Sequence, residues 1–490
     1  MTIGRVVPGS FRDPSGRVYE IDGRILRTVA DHFAPEFDFV ESTGLLQKLI
    51  AQNWLLPYER AGAAPLGALA NNFKYVLEVA PLRFISHPYE WSFPALKAAA
   101  LLHLDIHLAA LEYGVTLSDA SAYNIQFHGA RPVFIDHLSF RPYRPGEIWA
   151  GHRQFCEQFL NPLLLRAFFG VAHNAWYRGT QEGITSRELS RLLKWRHRLS
   201  WIVLTHVVLQ AFFQRSVEND SVKLAKEILP AAALPLPSLR RLLKKLHSWI
   251  GKLHPADTGK TVWQDYTATQ SYSSAEAQSK RQFVVEFVRN QKPKLMWDLG
   301  CNTGDYCIAA LEAGAEYTVG FDSDQGALES AFARAKEKNL AFQSLFFDAA
   351  NPTPNQGWNE QERSGLRARA SADAVVALAF IHHLAIARNI PLDQLLDWII
   401  DLAPTGIIEF VPKSDPMVQS LLRHREDIFP DYTRETFLNH MDREASIVST
   451  AVVSASGRLL VSYKQREISE ARSQENVQNS IQPAVLTFHE

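Results

Sequence analysis

A chain of 490 residues is about three times the length of a typical domain, so two or three domains are expected and a single small module is excluded. The composition, 46% hydrophobic and 21% charged residues, excludes collagen-like and wholly disordered chains. The net charge of −1 hides an asymmetry: residues 1–255 carry 29 Lys and Arg against 21 Asp and Glu, and residues 256–490 carry 22 against 31. Half-chain charges of +8 and −9 point to different partners for the halves, or to halves that face each other.

The three cysteines are Cys156, Cys301 and Cys307. None lies in a metal-ligand spacing such as CxxC, so neither a disulfide framework nor a structural zinc site is predicted. The N-terminus lacks the apolar segment of a secretory signal, and the most apolar long stretch, residues 199–213, is shorter than the ~20 residues that span a bilayer. We therefore expect a cytoplasmic protein without a membrane span, and a buried helix at 199–213.

The first 180 residues are typical of an α+β domain. Asp22-Gly23 between two alternating runs predicts a β-hairpin. Helices are predicted at 39–55 and 95–113, the second closed by Gly114, with strand-like sequence between them at 74–86.

Residues 181–255 are predicted to form a helical extension with a basic character: residues 187–252 carry 13 Lys and Arg against 4 Asp and Glu. Within it, residues 238–253 form an amphipathic basic helix, which can bind an anionic membrane or a partner groove. The favoured interpretation is a solvated basic face whose apolar side packs on the protein.

From residue 280 onward, helical and strand-like segments alternate. Such a βαβ series predicts a doubly wound, mostly parallel sheet. The resulting Rossmann-like domain is placed at 256–468, and residues 469–490 are expected to be a flexible tail.

The strongest motif is WDLGCNTGDY, residues 297–306, where the first strand of this series turns into a helix. Gly300 and Gly304 allow a tight turn and a close approach of the backbone to a ligand. Asp322 ends the second strand, where a carboxylate can accept hydrogen bonds from ribose hydroxyls. Asp348 ends the third strand. Asp298, Asp322 and Asp348 are thus three acidic residues at successive strand ends on one rim of the sheet, and they predict an adenosine site.

The G-x-G-x-x-G fingerprint of dinucleotide sites is absent, and the motif instead resembles the D-x-G-x-x-x-G motif of class I S-adenosylmethionine-dependent methyltransferases. The resemblance covers about residues 260–465 and implies S-adenosylmethionine as the cofactor. It implies that Asp298, Gly300, Cys301, Asn302 and Gly304 surround its methionyl part. It further implies that Asp322 holds the ribose, that Asp348 holds the adenine amine and that Ala379 borders the cofactor. Cys301 and Asn302 stand in place of the commonest middle glycine.

The fourth strand ends in ALAFIHHL, residues 377–384. His382 or His383 could remove a proton from a hydroxyl acceptor, since an imidazole pKa near 6.5 suits a base at neutral pH; alternatively, one histidine caps the helix and the other packs. No Asn-Pro-Pro-Tyr sequence follows this strand, which favours a hydroxyl acceptor over an amide or nucleobase amine. Glu409, Lys413 and Asp415, after the fifth strand, either bind substrate or form a surface ion pair. No metal is needed for methyl transfer.

The N-terminal half contains a second pattern. Asp119, Asn124 and Asp136 have the spacing of the catalytic Asp, the Asn and the metal-binding Asp of protein kinases and small-molecule phosphotransferases, which they resemble. The departures are Leu117-Ser118 in place of His-Arg, His137-Leu138 in place of Phe-Gly, and no Gly-rich loop or V-A-I-K lysine. Three alternatives stay open: a kinase-like domain without activity, an active phosphotransferase, and a coincidence.

As a whole, the segments DASAYN, FID, DLGCNTG, HHLAIARN and EFVPK resemble large bacterial methyltransferases associated with nodulation. That resemblance implies methylation of a glycan, a glycolipid or a small-molecule hydroxyl. Two alternatives are a bifunctional kinase and methyltransferase, and a non-catalytic N-terminal platform that docks RNA or membrane. No nucleic-acid substrate is expected, since no recognisable binding module accompanies the motif.

Overall fold

The computed structural model describes residues 5–62, 66–67, 73–212, 234–257, 274–423 and 426–466. The chain divides into two compact units: residues 1–270 with 288–370, and residues 271–287 with 371–490. The predicted division near residue 255 therefore does not separate the compact units, because residues 288–370 group with the N-terminal half. The flexible tail predicted at 469–490 lies outside the described residues.

The first unit opens with a five-stranded antiparallel sheet in the order β1–β2–β3–β5–β4. Its strands are β1 Arg5–Val6, β2 Val18–Ile21, β3 Arg24–Ala30, β4 Tyr58–Ala61 and β5 Phe73–Val79. Strands β2 and β3 form the predicted hairpin. Asp22 (φ 51°) and Gly23 (φ 75°) both adopt the positive φ that its two-residue turn requires.

Two helices connect β3 to β4, α1 Ala34–Ser42 and α2 Leu45–Ala51. The helical stretch predicted at 39–55 is confirmed over most of its length, and it is interrupted at Gly44, which has a φ of 80°. The predicted long helix is confirmed as α3, Phe93–Glu112, followed by Gly114 with a φ of 68°. By length and composition α3 could cross a membrane, but 67% of its apolar window is buried within the protein, as in a core helix.

Two short antiparallel pairs follow α3, β6 with β9 and β7 with β8. Their bounds are β6 Val115–Leu117, β7 Ile125–His128, β8 Arg131–Phe134 and β9 Phe140–Pro142. These pairs hold the segment between residues 117 and 140, which contains the predicted Asp119, Asn124 and Asp136.

The described residues from 152 to 257 are mostly helical. Its helices are α4 His152–Phe155, α5 Asn161–Phe169, α6 Asn174–Thr180, α7 Ser186–Leu192, α8 Trp195–Arg198, α9 Trp201–Val203 and α10 Leu236–Gly251. Helix α10 buries Leu239, Leu243, Leu246 and Ile250 and exposes its lysines, so the predicted amphipathic helix is confirmed. The helix predicted at 199–213 is confirmed as far as the structure describes it, but it is not fully buried, since Trp201 is 66% exposed.

Three parallel strands complete the first unit in the order β12–β11–β10. The elements alternate as predicted: β10 Met296–Leu299, α12 Asp305–Ala313, β11 Thr318–Asp322, α13 Gln325–Glu337 and β12 Phe342–Phe346. Helix α11, Ser274–Gln291, precedes them.

The second unit contains parallel strands β13 and β14 and two antiparallel strands that sequence analysis did not predict. Its strands are β13 Ala374–Ala377, β14 Thr405–Phe410, β15 Ala445–Val452 and β16 Leu459–Gln465. Its helices are α14 Ile381–Ala385, α15 Leu392–Ile400, α16 Pro416–Leu422 and α17 Arg434–Glu444.

Buried polar contacts explain why residues 288–370 group with the N-terminal half. The buried Arg369 guanidinium pairs with the buried Glu90 carboxylate, and Gln343 Nε2 donates to Ser86 Oγ at 2.8 Å. Removing one partner of a buried ion pair destabilises a protein strongly, because it leaves the other charge buried without a partner. These contacts therefore join the two segments in one folded body.

Candidate functional site

The loop after β10 takes the conformation that the motif predicts. Gly300 (φ 80°), Asn302 (φ 49°) and Gly304 (φ 83°) all have positive φ. A Cβ at residue 304 would lie 2.3 Å from the ring of Phe342, so only glycine fits there. The segment 298–304, which we name the glycine loop, is thus held close against its own sheet.

Asp322 ends β11 beside the glycine loop. Its Oδ2 accepts a hydrogen bond from the Asn302 N–H at 2.8 Å, and its Oδ1 accepts one from the Asp324 N–H at 2.9 Å. Burial raises the pKa of Asp322. Each carboxylate oxygen keeps lone pairs beyond these contacts, so the side chain is fixed and can still accept hydrogen bonds from two hydroxyls.

Asp298 and Cys301 lie beneath the glycine loop. Asp298 is 1% exposed, Cys307 Sγ donates to its Oδ2 at 3.4 Å, and burial raises the pKa of Asp298 to about 7. Cys301 is buried, and its side chain packs against Gly320, where a Cβ would lie 2.7 Å from its Sγ. Both side chains support the loop, and their contact with a methionyl group stays a prediction.

Asp348 lies two residues beyond β12 and lines a cavity of about 80 Å³. The N-terminal half supplies one wall of this cavity: Tyr89, Glu90, Asn174, Ala175 and Arg178. Asn174 Oδ1 accepts from Gln325 Nε2 at 2.9 Å, and Arg178 donates to the Asn351 carbonyl at 3.0 Å. Sequence reasoning missed Asn174 and Arg178, because nothing in the local pattern of α6 connects it to a strand end about 170 residues away.

In the second unit, a buried carboxylate holds the segment after β13. Glu409 accepts from the backbone N–H of Ala379 at 2.8 Å and from Lys280 Nζ at 2.6 Å. Ala379 has a φ of 49°. Residues other than glycine rarely adopt this backbone conformation, and those that do cluster at functional sites. The geometry therefore anchors Ala379 at the end of β13.

Lys413 and Asp415, which follow β14, differ from each other in their partners and burial. Asp415 is buried and pairs with Arg458 through contacts of 2.6 and 2.7 Å. Lys413 pairs with the half-exposed Asp427 at 2.8 Å. The surface ion-pair interpretation is therefore right for Lys413 and wrong for Glu409 and Asp415, which are buried.

His382 and His383 lie in α14 with their ring centres 4.2 Å apart. His382 is fully buried, and neither of its ring nitrogens has a hydrogen-bond partner among the described residues. Burial lowers the pKa of both histidines, that of His383 to about 4. Both are neutral at pH 7, and His382 packs in the interior, as the alternative to a catalytic role predicted for one of the two histidines.

The structure brings Asp119, Asn124 and Asp136 together. Asn124 Nδ2 donates to Asp119, at 3.0 Å from Oδ2, and Ser139 Oγ lies 2.8 Å from Asp119 Oδ1 and 2.7 Å from Asp136 Oδ2. Burial and the neighbouring Asp136 charge raise the pKa of Asp119 to about 6.

A cation that sequence reasoning missed completes this arrangement. Arg27, in the middle of β3, lies 2.7 Å from Asp136 Oδ1 and 2.6 Å from Asp13 Oδ2. We name Arg27, Asp13, Asp119, Asp136 and their neutral partners the Arg27 cluster. Its signal in the sequence was a basic residue between the apolar residues Leu26 and Val29 of β3, which a search for lysine in V-A-I-K passes over.

Comparison with known proteins defines the class of the chain. Residues 297–404 match a family model described as a methyltransferase domain. The chain is a class I S-adenosylmethionine-dependent methyltransferase, and S-adenosylmethionine is its cofactor. The residues fit this group, because two backbone N–H groups fix the Asp322 carboxylate beside the glycine loop, where its remaining lone pairs can accept from a ribose.

The chain is also 46% identical over 465 residues to nodulation protein NoeA of Rhizobium meliloti (strain 1021), across 95% of this chain and 97% of the relative. It belongs to the NoeA family.

Solved structures with detectable likeness include magnesium protoporphyrin IX methyltransferase from Synechocystis PCC 6803 (19% identity, 39% of this chain, 80% of that chain, TM-score 0.28). Another is the N-methyltransferase NodS from Bradyrhizobium japonicum WM9 (11% identity, 40% of this chain, 99% of that chain, TM-score 0.29). TM-scores this low support no argument about function.

Proposed function

We propose that the chain transfers the methyl group of S-adenosylmethionine to a hydroxyl of a glycan, a glycolipid or a small molecule. The observation that carries the cofactor half of this proposal is the Asp322 carboxylate, fixed by two backbone N–H groups beside the glycine loop. When bound, the cofactor supplies an activated methyl group on a sulfonium. The residues of this chain bind and orient the reactants, which is the main requirement of an in-line transfer.

In this proposal each residue of the cofactor site contacts a different part of S-adenosylmethionine. Asp322 accepts hydrogen bonds from both ribose hydroxyls, and Asp348 accepts one from the adenine amine. The backbone from Cys301 to Gly304 contacts the methionyl part. Asn174 and Arg178 form the outer wall of the cavity that Asp348 lines, so the N-terminal half contributes to cofactor binding.

The acceptor half rests on different observations. No Asn-Pro-Pro-Tyr sequence follows β13, and the nearby histidines are neutral at pH 7. The name of the relative connects that protein to nodulation, which agrees with a signalling or surface glycan as the acceptor. His383 would take the hydroxyl proton as the methyl group transfers; a base with a pKa of about 4 stays competent in acid, so the acidic limb of the rate profile should lie well below pH 6.

The test of the cofactor site is calorimetric titration of the full chain with S-adenosylhomocysteine. One site of micromolar affinity, equivalent to about −8 kcal/mol, is expected for the wild type, and a loss of affinity of at least ~100-fold for Asp322→Ala. Asp324→Asn is the matched control, since Asp324 caps α13 through the Ala327 N–H and should bind normally. Equal affinity in Asp322→Ala would disprove the ribose assignment.

The acceptor is tested by transfer of a labelled methyl group to matched sugars that carry either a hydroxyl or an amine at one position. Label on the hydroxyl series supports the proposal. Label on the amines alone would replace it with N-methylation.

We propose nucleotide binding by a kinase-like N-terminal region as a second candidate function, on the arrangement of the carboxylates in the Arg27 cluster. The convergence of Asp119, Asn124 and Asp136 favours it, and the guanidinium at 2.7 Å from Asp136 favours a form without phosphotransfer, since a cation already pairs with the carboxylate that would bind magnesium. Magnesium-dependent ATP binding by the wild type, lost in Asp136→Ala, would instead support the bifunctional alternative.

A further inference from the structure

Two histidines and one cysteine meet in the helical part of the first unit, next to the segment of Asp119, since Gly151 packs against the backbone of Asp119 and Ala120. His152 begins α4, Cys156 lies one helical turn later, and His206 comes from the helical segment that starts at Trp201. His152 Nε2 lies 2.7 Å from His206 Nδ1 and 3.6 Å from Cys156 Sγ. The three ligand atoms all lie within 4.8 Å of one another.

The surroundings of this group are apolar. Cys156 and His206 are buried, and the indole of Trp149 packs on the His152 ring with centroids 5.4 Å apart. A group of three nitrogen and sulfur atoms, two of them on buried residues and none from a carboxylate, matches the ligands that Zn²⁺ prefers.

The backbone departs from regular α-helix at Cys156 and at His206. The two π-helical turns in the described residues are Cys156–Leu160 and Leu204–Val208. One begins at the cysteine and the other has His206 at its centre. Because π turns shift side chains out of α-helical register and recur at functional sites, their coincidence with two of the three groups is an observation independent of the distances.

Two of the three distances between ligand atoms are close to those around a metal ion, and the third, between Cys156 Sγ and His206 Nδ1, is at most 4.8 Å. With bonds of about 2.0–2.1 Å to nitrogen and about 2.3 Å to sulfur, a tetrahedral ion separates a nitrogen and a sulfur ligand by about 3.6 Å and two nitrogens by about 3.3 Å. The observed Sγ to Nε2 distance is 3.6 Å. The two nitrogens, at 2.7 Å, share a hydrogen bond in the metal-free form and need to separate by only about half an ångström.

We propose that His152, Cys156 and His206 bind one Zn²⁺, with water as the fourth ligand. On binding, the Cys156 thiol releases its proton to solvent and the thiolate forms the bond to zinc, while the histidines bind as neutral rings. The ion joins α4 to the segment that contains His206, so its removal should lower the stability of the fold. The pattern His-x-x-x-Cys places two ligands on one helix face, and it escapes a search confined to CxxC spacings.

The test uses the full chain, produced without a histidine tag, and measures metal by mass spectrometry. We expect about one zinc per chain in the wild type and almost none in Cys156→Ser, with retention in the control Cys307→Ser, whose cysteine is buried elsewhere in the unit. Cobalt exchanged into the wild type should give the strong near-ultraviolet absorption of a thiolate-to-metal bond, and that absorption should be absent in Cys156→Ser.

A second measurement remains informative if Cys156→Ser fails to fold. Chelator-treated wild type should melt at a lower temperature and recover when zinc is added, since a ligand that binds the native state raises its stability. His152→Gln, at the partly exposed ligand, should lose this recovery. A wild type that folds without zinc and gives no thiolate–cobalt absorption would overturn the proposal, and so would zinc that persists undiminished in both ligand variants.

Discussion

The first unit contains two carboxylate sites that compensate buried negative charge in different ways. In the Arg27 cluster, a guanidinium pairs with Asp136 and Asp13, and neutral side chains satisfy Asp119. At the glycine loop, Asp322 is held by two backbone N–H groups. Both arrangements satisfy hydrogen bonds, but only the Arg27 cluster supplies a full opposite charge from its own side chains.

This difference bears on what each site can bind. A carboxylate that already pairs with a guanidinium gains little from a further cation, and the pair must be broken before a ligand can enter. A carboxylate held by backbone N–H groups keeps its position without a ligand and keeps lone pairs for one. The comparison therefore predicts that the Arg27 cluster contributes mainly to stability and that the glycine loop contributes mainly to binding.

The largest expected effect comes from removing the cation of the Arg27 cluster. Arg27→Met leaves Asp136 and Asp13 partly buried without their partner, which should lower the free energy of unfolding by about 2–4 kcal/mol at pH 7. Urea denaturation measures this change. Arg24→Met removes another arginine of β3, whose exposed pair with Glu78 should contribute little to stability; equal losses in the two variants would contradict the comparison.

The next largest effect should come from the backbone of the glycine loop. Gly304→Ala places a Cβ against Phe342 and forces alanine to a φ of 83°, so we expect a loss of about 2–3 kcal/mol in stability together with weaker binding of S-adenosylhomocysteine. Gly314→Ala is the control, because residue 314 has a φ of 112° and no atom lies within 4 Å of the new Cβ. It therefore measures the cost of the backbone conformation without a steric clash. If Gly314→Ala weakened cofactor binding as much, the steric argument for Gly304 would be wrong.

A smaller loss, in both assays, is expected for Asp322→Asn. Each carboxylate oxygen accepts a backbone N–H. Asparagine has one acceptor oxygen, so its amide NH2 would face one of these donors, and stability should fall by about 1–2 kcal/mol. Affinity for S-adenosylhomocysteine should fall by about tenfold or more, equivalent to at least about 1.4 kcal/mol. Thermal unfolding and calorimetry on the same sample measure the two losses; normal affinity in this variant would contradict the assignment of Asp322 to the ribose.

The smallest effect concerns Asp119. Its folded-state pKa of about 6 lies above the usual value near 3.9, so the folded state binds its proton more tightly, and the stability that this proton provides is lost as pH rises from about 4 through 6. Asp119→Asn avoids that loss and should be more stable than the wild type by about 1 kcal/mol at pH 8, with no gain at pH 4. Unfolding curves at the two pH values test this; a gain that does not depend on pH would show that ionisation of Asp119 is not its cause.

Much of the cofactor site could be predicted from sequence because its parts are local. The glycine loop and Asp322 follow successive strands, and parallel strands bring their carboxyl ends to one edge without further information. The Asp22-Gly23 hairpin and helix α3 were predictable for the same reason, since turn chemistry and apolar periodicity act over a few residues. The burial of Glu409 and Asp415 was not, because their partners Lys280 and Arg458 are distant in the chain.

What the sequence determined by itself is the βαβ order, the glycine loop, the acidic strand end at Asp322 and the class of enzyme. Tertiary structure alone decided that residues 288–370 group with the N-terminal half and that α6 lines the cavity beside Asp348. It also decided that Arg27 pairs with Asp136 and that His206 lies close to Cys156. The physical reason is the range of the interactions. Turn geometry and strand alternation are set by neighbouring residues, whereas ion pairs and buried contacts depend on packing that joins segments tens to hundreds of residues apart.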